Sequence, residues 1–320
     1  MQERSLRSDH FQHYLYLFDR NEGAVPMRLI VGYLATPSGK DGLTLGVQLA
    51  RSLGAQLDIC MVLPPDRTVA SRVPAETGYE DVLVTRAQGW LDEAKSLVPS
   101  DIEVAVHASF NDSFAQGLLD EVARLGASAI VVGASGDGLL GRHSVGSVST
   151  ELLHSAHVPL ALAPRGTRHS SAREIRQVTC ALGTRTGADV LLRTAVRTCE
   201  RMHTPLRLVS LVALDPRNDL RDARDSYDSA RDRAVAHARA LVDEAKSTLP
   251  EDFPLSVTIA DGSSVESAVR TLDWQDGDLV MVGSSRLAQP RRLFLGSTAA
   301  KMLRVLPVPM VVVPKQEFES

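Results

Sequence analysis

VVGASGDGLLGRHSVGS, residues 131–147, and MVGSSRLAQPRRLFLGS, residues 281–297, are the two stretches on which the fold turns. In the first, Gly133, Gly136, Gly146 and Ser147 follow the pattern G-x2-G-x9-G-S. In the second, Gly283, Gly296 and Ser297 keep the spacing, and Arg286 stands where the middle glycine would be. The same interval of about 150 residues separates Val158-Pro159 from Val308-Pro309, and Pro164 from Pro314. Matches held in one register along the chain mark an internal duplication, which fixes the domain count at two.

Outward from these stretches, short apolar runs alternate with amphipathic ones. Strands are expected at 28–34, 56–63, 102–107, 129–133 and 158–163, with helices at 42–53, 79–97, 113–125 and 147–154. The second half repeats this with strands at 178–182, 206–212, 255–260, 279–283 and 308–313, and helices at 189–202, 222–249, 264–272 and 297–306. Val- and Ile-rich strands separated by helices predict mostly parallel sheets covered on both faces. The boundaries that follow are a tail over 1–26, a first domain over 27–165, a polar linker over 166–173, a second domain over 174–315 and a short tail over 316–320.

The 320 residues suit two domains of ordinary size. A net charge of −4 favours neither nucleic acid nor an anionic membrane as a bulk partner. The longest apolar runs, such as 309–313, are too short to enter a bilayer as a span. Residues 1–26 lack the unbroken apolar core of a signal peptide and read as an accessory tail. Cys60, Cys180 and Cys199 form no CxxC pair; buried reduced thiols and a cytoplasmic location are expected. The nine histidines show no metal spacing, and no G-x-S-x-G, Walker A or HExxH sequence is present.

The chemistry of the 131–147 stretch is that of an anion cradle. A glycine at a strand end lets a ligand approach the backbone, and a second one three residues on permits a tight turn. A Gly-Ser pair opening a helix offers free N–H groups at the positive end of the dipole. Ser147 then either caps the helix or donates its hydroxyl to a phosphate oxygen. Arg142 adds positive charge inside the loop.

These residues resemble the universal stress protein family, whose ATP-binding signature is G-x2-G-x9-G-[S/T] after the fourth strand. The resemblance covers residues 27–314 and includes the start of the first half, LIVGYLATPSGKDGLTLGVQLARSLGAQLDICMVLPP, and the stretch SVSTELLHSAHVPLALAP. It implies an α/β fold of two tandem doubly wound five-stranded parallel sheets, Rossmann-like, each in the order 3-2-1-4-5. It also implies ATP as ligand, with magnesium as a companion ion, adenine near the ends of strands 1 and 2, and phosphates on Gly133, Gly136, Arg142, Gly146 and Ser147. In the second domain the corresponding set is Gly283, Gly296 and Ser297.

Two departures modify that expectation. Nucleotide-binding members carry an aspartate just after strand 1, where this chain has Leu34-Ala35 and Leu182-Gly183. The nearest acids, Asp41 and Asp189, read as helix N-caps, with a ribose contact as the alternative. Arg286 either fills the second phosphate pocket or, with Arg291 and Arg292, supplies charge to it. The expected function is a non-catalytic nucleotide-binding stress or signalling module with one nucleotide per chain. The alternative is a regulatory interaction protein with degenerate sites, acting on a partner such as a transporter. Strands 158–163 and 308–313 are each at a sheet edge in the implied order. They are expected to pair with one another, making an intramolecular pseudo-dimer, with further self-association left open.

Overall fold

Alternation of branched aliphatics along the strands places successive side chains on opposite faces of a sheet. In the computed structural model those strands are β1 (Arg28–Gly32), β2 (Gln56–Leu63), β3 (Val104–Phe110), β4 (Ala129–Gly133) and β5 (Leu160–Ala163) in the first half. The second half supplies β6 (Gln177–Leu182), β7 (Leu206–Ala213), β8 (Leu255–Gly262), β9 (Asp278–Gly283) and β10 (Met310–Val313). The helices are α1 (Pro37–Leu53), α2 (Tyr79–Ser96), α3 (Phe114–Leu125), α4 (Ser147–Ser155), α5 (Ala188–Met202), α6 (Val265–Arg270) and α7 (Ser297–Leu303). The structure describes residues 26–65, 79–134, 146–182, 188–213, 252–284, 293 and 295–314, with scattered helical positions between 232 and 247. Most of the expected helix 222–249 lies outside the described residues.

The strands form one sheet in the order β3-β2-β1-β4-β5-β10-β9-β6-β7-β8. Each half therefore has the 3-2-1-4-5 order, and the halves meet at β5 and β10. That pair is antiparallel, with Met310 opposite Leu162, Val311 opposite Ala161 and Val312 opposite Leu160. All other neighbouring strands are parallel. Leu160 and Leu162 join Ile130, Val132, Val280, Val282, Met310 and Val312 in a single apolar cluster with α3, α4 and α7, so this core runs through both halves. The opposite face buries Leu29, Val31, Leu57 and Ile59 under α1 and α2, and Val178, Cys180, Leu206 and Leu208 under α5. The three cysteines are buried free thiols; burial pushes the Cys199 thiol up to about 12 and raises those of Cys60 and Cys180 as well.

Helix α1 begins five residues before the expected 42–53. Thr36 is its N-cap, accepting from the Gly39 N–H, and Pro37 occupies the first turn, where the missing donor costs nothing. Asp41 is consequently inside the helix rather than capping it. Its side chain is buried and accepts from the backbone N–H groups of Gly166 and Arg168 at 3.2 and 2.8 Å and from the Arg168 guanidinium at 2.9 Å. Asp189 is also helical, in the first turn of α5, and pairs with Arg193 one turn later.

The polar linker is a strap fastened on both sides. Gln48 donates to the Ser170 hydroxyl and the Ala172 carbonyl, Arg51 to the Arg173 carbonyl, and the Ile175 N–H to the Ser52 hydroxyl. From the second domain, the Asp276 carboxylate accepts from the hydroxyls of Ser170 and Ser171 and from the N–H groups of Ser171 and Ala172. Burial works against the charge of Asp276, but these donors outweigh it and hold the carboxyl below its usual pKa. A depressed pKa contributes stability that is present above the unfolded value, about 3.9, and lost as the pH falls through the folded one. Asp276→Asn should therefore melt below the parent near neutral pH, with the gap closing below about pH 4. Paired melts across that range check this; a gap that does not change with pH would contradict it.

The duplicated halves carry opposite buried charges at one position. Asp58 on β2 faces Ile30 in register, and Arg207 on β7 faces Thr179, while Ile30 and Thr179 pair equivalently with β4 and β9. Asp58 is fully buried and accepts from the Arg28 guanidinium at 3.0 and 2.7 Å. His107 bridges it to Arg124: Arg124 donates to Nδ1, so Nε2 carries the proton and donates to Asp58 at 2.8 Å. Arg207 instead donates to the Thr179 hydroxyl and the Asp273 carbonyl and stacks on Trp274 at 4.6 Å.

Candidate functional site

In an open α/β sheet, ligands settle outside the carboxyl ends of adjacent strands whose connections leave in opposite directions. β1 leads through α1 to β2, β4 leads through α4 to β5, and β1 and β4 are neighbours. The crevice at their carboxyl ends is bounded by Tyr33-Leu34 after β1, Gly133-Ala134 after β4, the first turn of α1 and the start of α4. β6 and β9 repeat the arrangement in the second domain.

Gly146 is the N-cap of α4, at φ −67° and ψ 169°, and as a glycine it brings no side-chain cap to the helix end. The first intrahelical bond runs from the Thr150 N–H to the Gly146 carbonyl. The N–H groups ahead of it have no partner within the helix, and the first turn carries no acidic residue. Ser147 is exposed and is the first helical residue, so it is not the N-cap. Gly296 begins the shorter α7 in the same extended conformation, again without a side-chain cap, and Ser297 follows it. Thus Gly133, Gly146 and Ser147 gather at one edge, and Gly283, Gly296 and Ser297 at the other. Gly136, Arg142, Arg286, Arg291 and Arg292 lie outside the described residues.

Gly133 has a different reason for being glycine from the one its position suggests. A Cβ there would lie 1.8 Å from the Ser38 carbonyl oxygen and 2.7 Å from the Ser38 hydroxyl. A Cβ on Gly42 would in turn lie 2.7 Å from the Gly133 nitrogen. The space is taken by the first turns of α1, so two glycines let a helix backbone rest on a strand end. In the second domain, among the described residues, a Cβ on Gly283 would lie 3.8 Å from the Leu191 side chain, while Thr186, the counterpart of Ser38, lies outside the described residues.

The end of β1 is apolar. Leu34 is 44% exposed at the end of β1. Tyr33 beside it is buried with its hydroxyl unpartnered, and burial, then the charge of Glu93, raises its pKa. Asp41 is committed to the linker and does not face a ligand. Among the described residues no group of three His, Cys, Asp or Glu is placed to hold a metal ion, and no helix is long and apolar enough to cross a membrane.

Sequence reasoning did not single out Leu293. It lies in the second glycine-arginine stretch, yet it is 1% exposed and its N–H bonds the Ala156 carbonyl at the end of α4. The available signal was an apolar residue directly after Pro290-Arg291-Arg292, in a stretch otherwise suited to a solvated loop.

Comparison with known proteins returns the universal stress protein family, matched over residues 27–164 and again over 174–314. A universal stress protein of Mycobacterium tuberculosis is 29% identical over 90% of this chain and all of its own length. Among solved structures, a universal stress protein from Archaeoglobus fulgidus has a TM-score of 0.62 at 16% identity, covering 90% of this chain and 98% of its own. A functionally unknown protein from Pseudomonas aeruginosa has a TM-score of 0.55 at 16% identity, covering 91% and 93%. At these identities the structures speak to the fold.

Proposed function

The chain belongs to the universal stress protein family, and from that premise we propose that its first domain binds ATP or a related nucleotide as a non-catalytic stress or signalling module. The observation that carries this reading is the start of α4. It offers N–H groups that its glycine cap leaves without a side-chain partner, an exposed Ser147 and no acid in its first turn, at the carboxyl ends of β1 and β4. That donor set fits a phosphate group. Magnesium would enter as a companion of the phosphates. The antiparallel β5–β10 pair and the shared core support an intramolecular pseudo-dimer as the working unit. Buried free thiols support a reducing, cytoplasmic setting.

A ligand that binds only the native state raises its stability, by about 2.7 kcal/mol at a hundredfold excess over Kd. Millimolar ATP should therefore raise the melting temperature, and acid extraction of the purified protein should release adenine nucleotide. An unchanged melt together with a nucleotide-free extract would count against the proposal. The second reading, a regulatory protein with degenerate sites and a protein partner such as a transporter, is favoured by one feature. Leu34 presents an apolar side chain at the mouth of the crevice, and Asp41 is already occupied by Gly166 and Arg168.

A further inference from the structure

We propose that the second domain braces the first domain's anion site, with Leu293 as the positioning residue; this rests on reading the start of α4 as that site. Leu293 belongs to the second domain, three residues before Gly296 opens α7. Its N–H donates to the Ala156 carbonyl at 2.9 Å. Ala156 closes α4, its own N–H bonded to the Leu152 carbonyl at 2.8 Å. The Leu293 side chain is 1% exposed, in the cluster that holds Leu152, Leu153 and Ala156 of the first domain and Met302 and Leu303 of α7.

The consequence is mechanical. Ala156, extended at ψ 140°, ends α4, and the Leu293 N–H ties down the carbonyl of that closing residue. α4 has nine residues and is a rod about 13 Å long. Its far end, Gly146-Ser147, carries the donors for the phosphate. Fixing one end of so short a rod fixes where the other end aims. In this account the first site is complete only with the second domain in place. Leu293 thus serves as a support for the neighbouring site.

The test compares Leu293→Ala with Leu272→Ala in the full chain. Leu272 is also buried in the second domain, but in a separate cluster with Val209, Ala260 and Ala268. Hydrogen exchange under folding conditions should show the α4 amides of Leu293→Ala opening about tenfold faster than in the parent, with α1 amides unchanged. Leu272→Ala should leave α4 at the parent rate. ATP affinity should fall with Leu293→Ala and recover with Leu293→Met. Should Leu293→Ala fail to fold, Leu293→Val carries the same comparison with a smaller change in exchange. Parental exchange in α4 for the Leu293 variants, or equal acceleration by Leu272→Ala, would overturn the proposal. Faster exchange in α4 with no ATP binding by any form would uphold the brace and reject the nucleotide reading.

Discussion

Gly133→Ala is expected to lower the melting temperature of the first domain by about 10 °C. The new methyl at 133 would sit 1.8 Å from a backbone oxygen, that of Ser38, which cannot rotate out of the way. α1 must move instead, and it is held along its length. Asp41 grips the linker near one end, and Gln48 and Arg51 grip it near the other. Overpacking a site that cannot relax costs about 3 kcal/mol. Calorimetric melts of the variant and the parent check this. A melt within about 1 °C of the parent would show that α1 does not press on β4 at this position.

Arg28→Ala should destabilise the first domain by about 3 kcal/mol, and adding Asp58→Ala should recover part of that loss. Asp58 is completely buried and takes two hydrogen bonds from Arg28. Without Arg28 a carboxylate remains in the core with only His107 beside it, and the cost is that of an uncompensated charge. Removing the carboxylate as well removes that cost. Lys40→Ala is the control: its pair with Glu93 is exposed on both sides, at 44% and 54%, and should be worth less than about 0.5 kcal/mol. Denaturant unfolding of the two single variants and the double variant measures the coupling. Strict additivity of Arg28→Ala and Asp58→Ala would contradict it.

The positions of the strands were legible because hydrophobic periodicity and the repeat act locally and in register, whereas their order came from the family resemblance. β2 and β4 occupy the expected 56–63 and 129–133, and β10 finds β5 because both are short apolar edges. The start of α1 was missed although Thr36-Pro37 carried the signal, a capping hydroxyl followed by proline at the first turn. What could not be read were contacts between residues far apart in the chain. Asp41 bonds residues more than a hundred positions away, and Ser38 decides the identity of residue 133. A glycine that admits a ligand and a glycine that admits a helix look the same in sequence. The inverted charge at Asp58 and Arg207 was hidden likewise, because only the strand register brings each to its partners.

Leu293 was masked by its own surroundings, since Arg291 and Arg292 made the stretch look like a charged loop. Its burial comes from the other half of the molecule. The same holds for Ser170 and Ser171, whose small polar side chains suit a linker but are spent on Asp276.

Calorimetric titration of ATP into the full chain, alongside Gly136→Arg, tests the central claim most directly. Copying the second domain's arginine into the first signature should remove binding if Gly136 belongs to the phosphate cradle. The account predicts close to one site per chain for the parent and a large loss of affinity for Gly136→Arg. No heat of binding at millimolar ATP, or an affinity that survives Gly136→Arg unchanged, would contradict it.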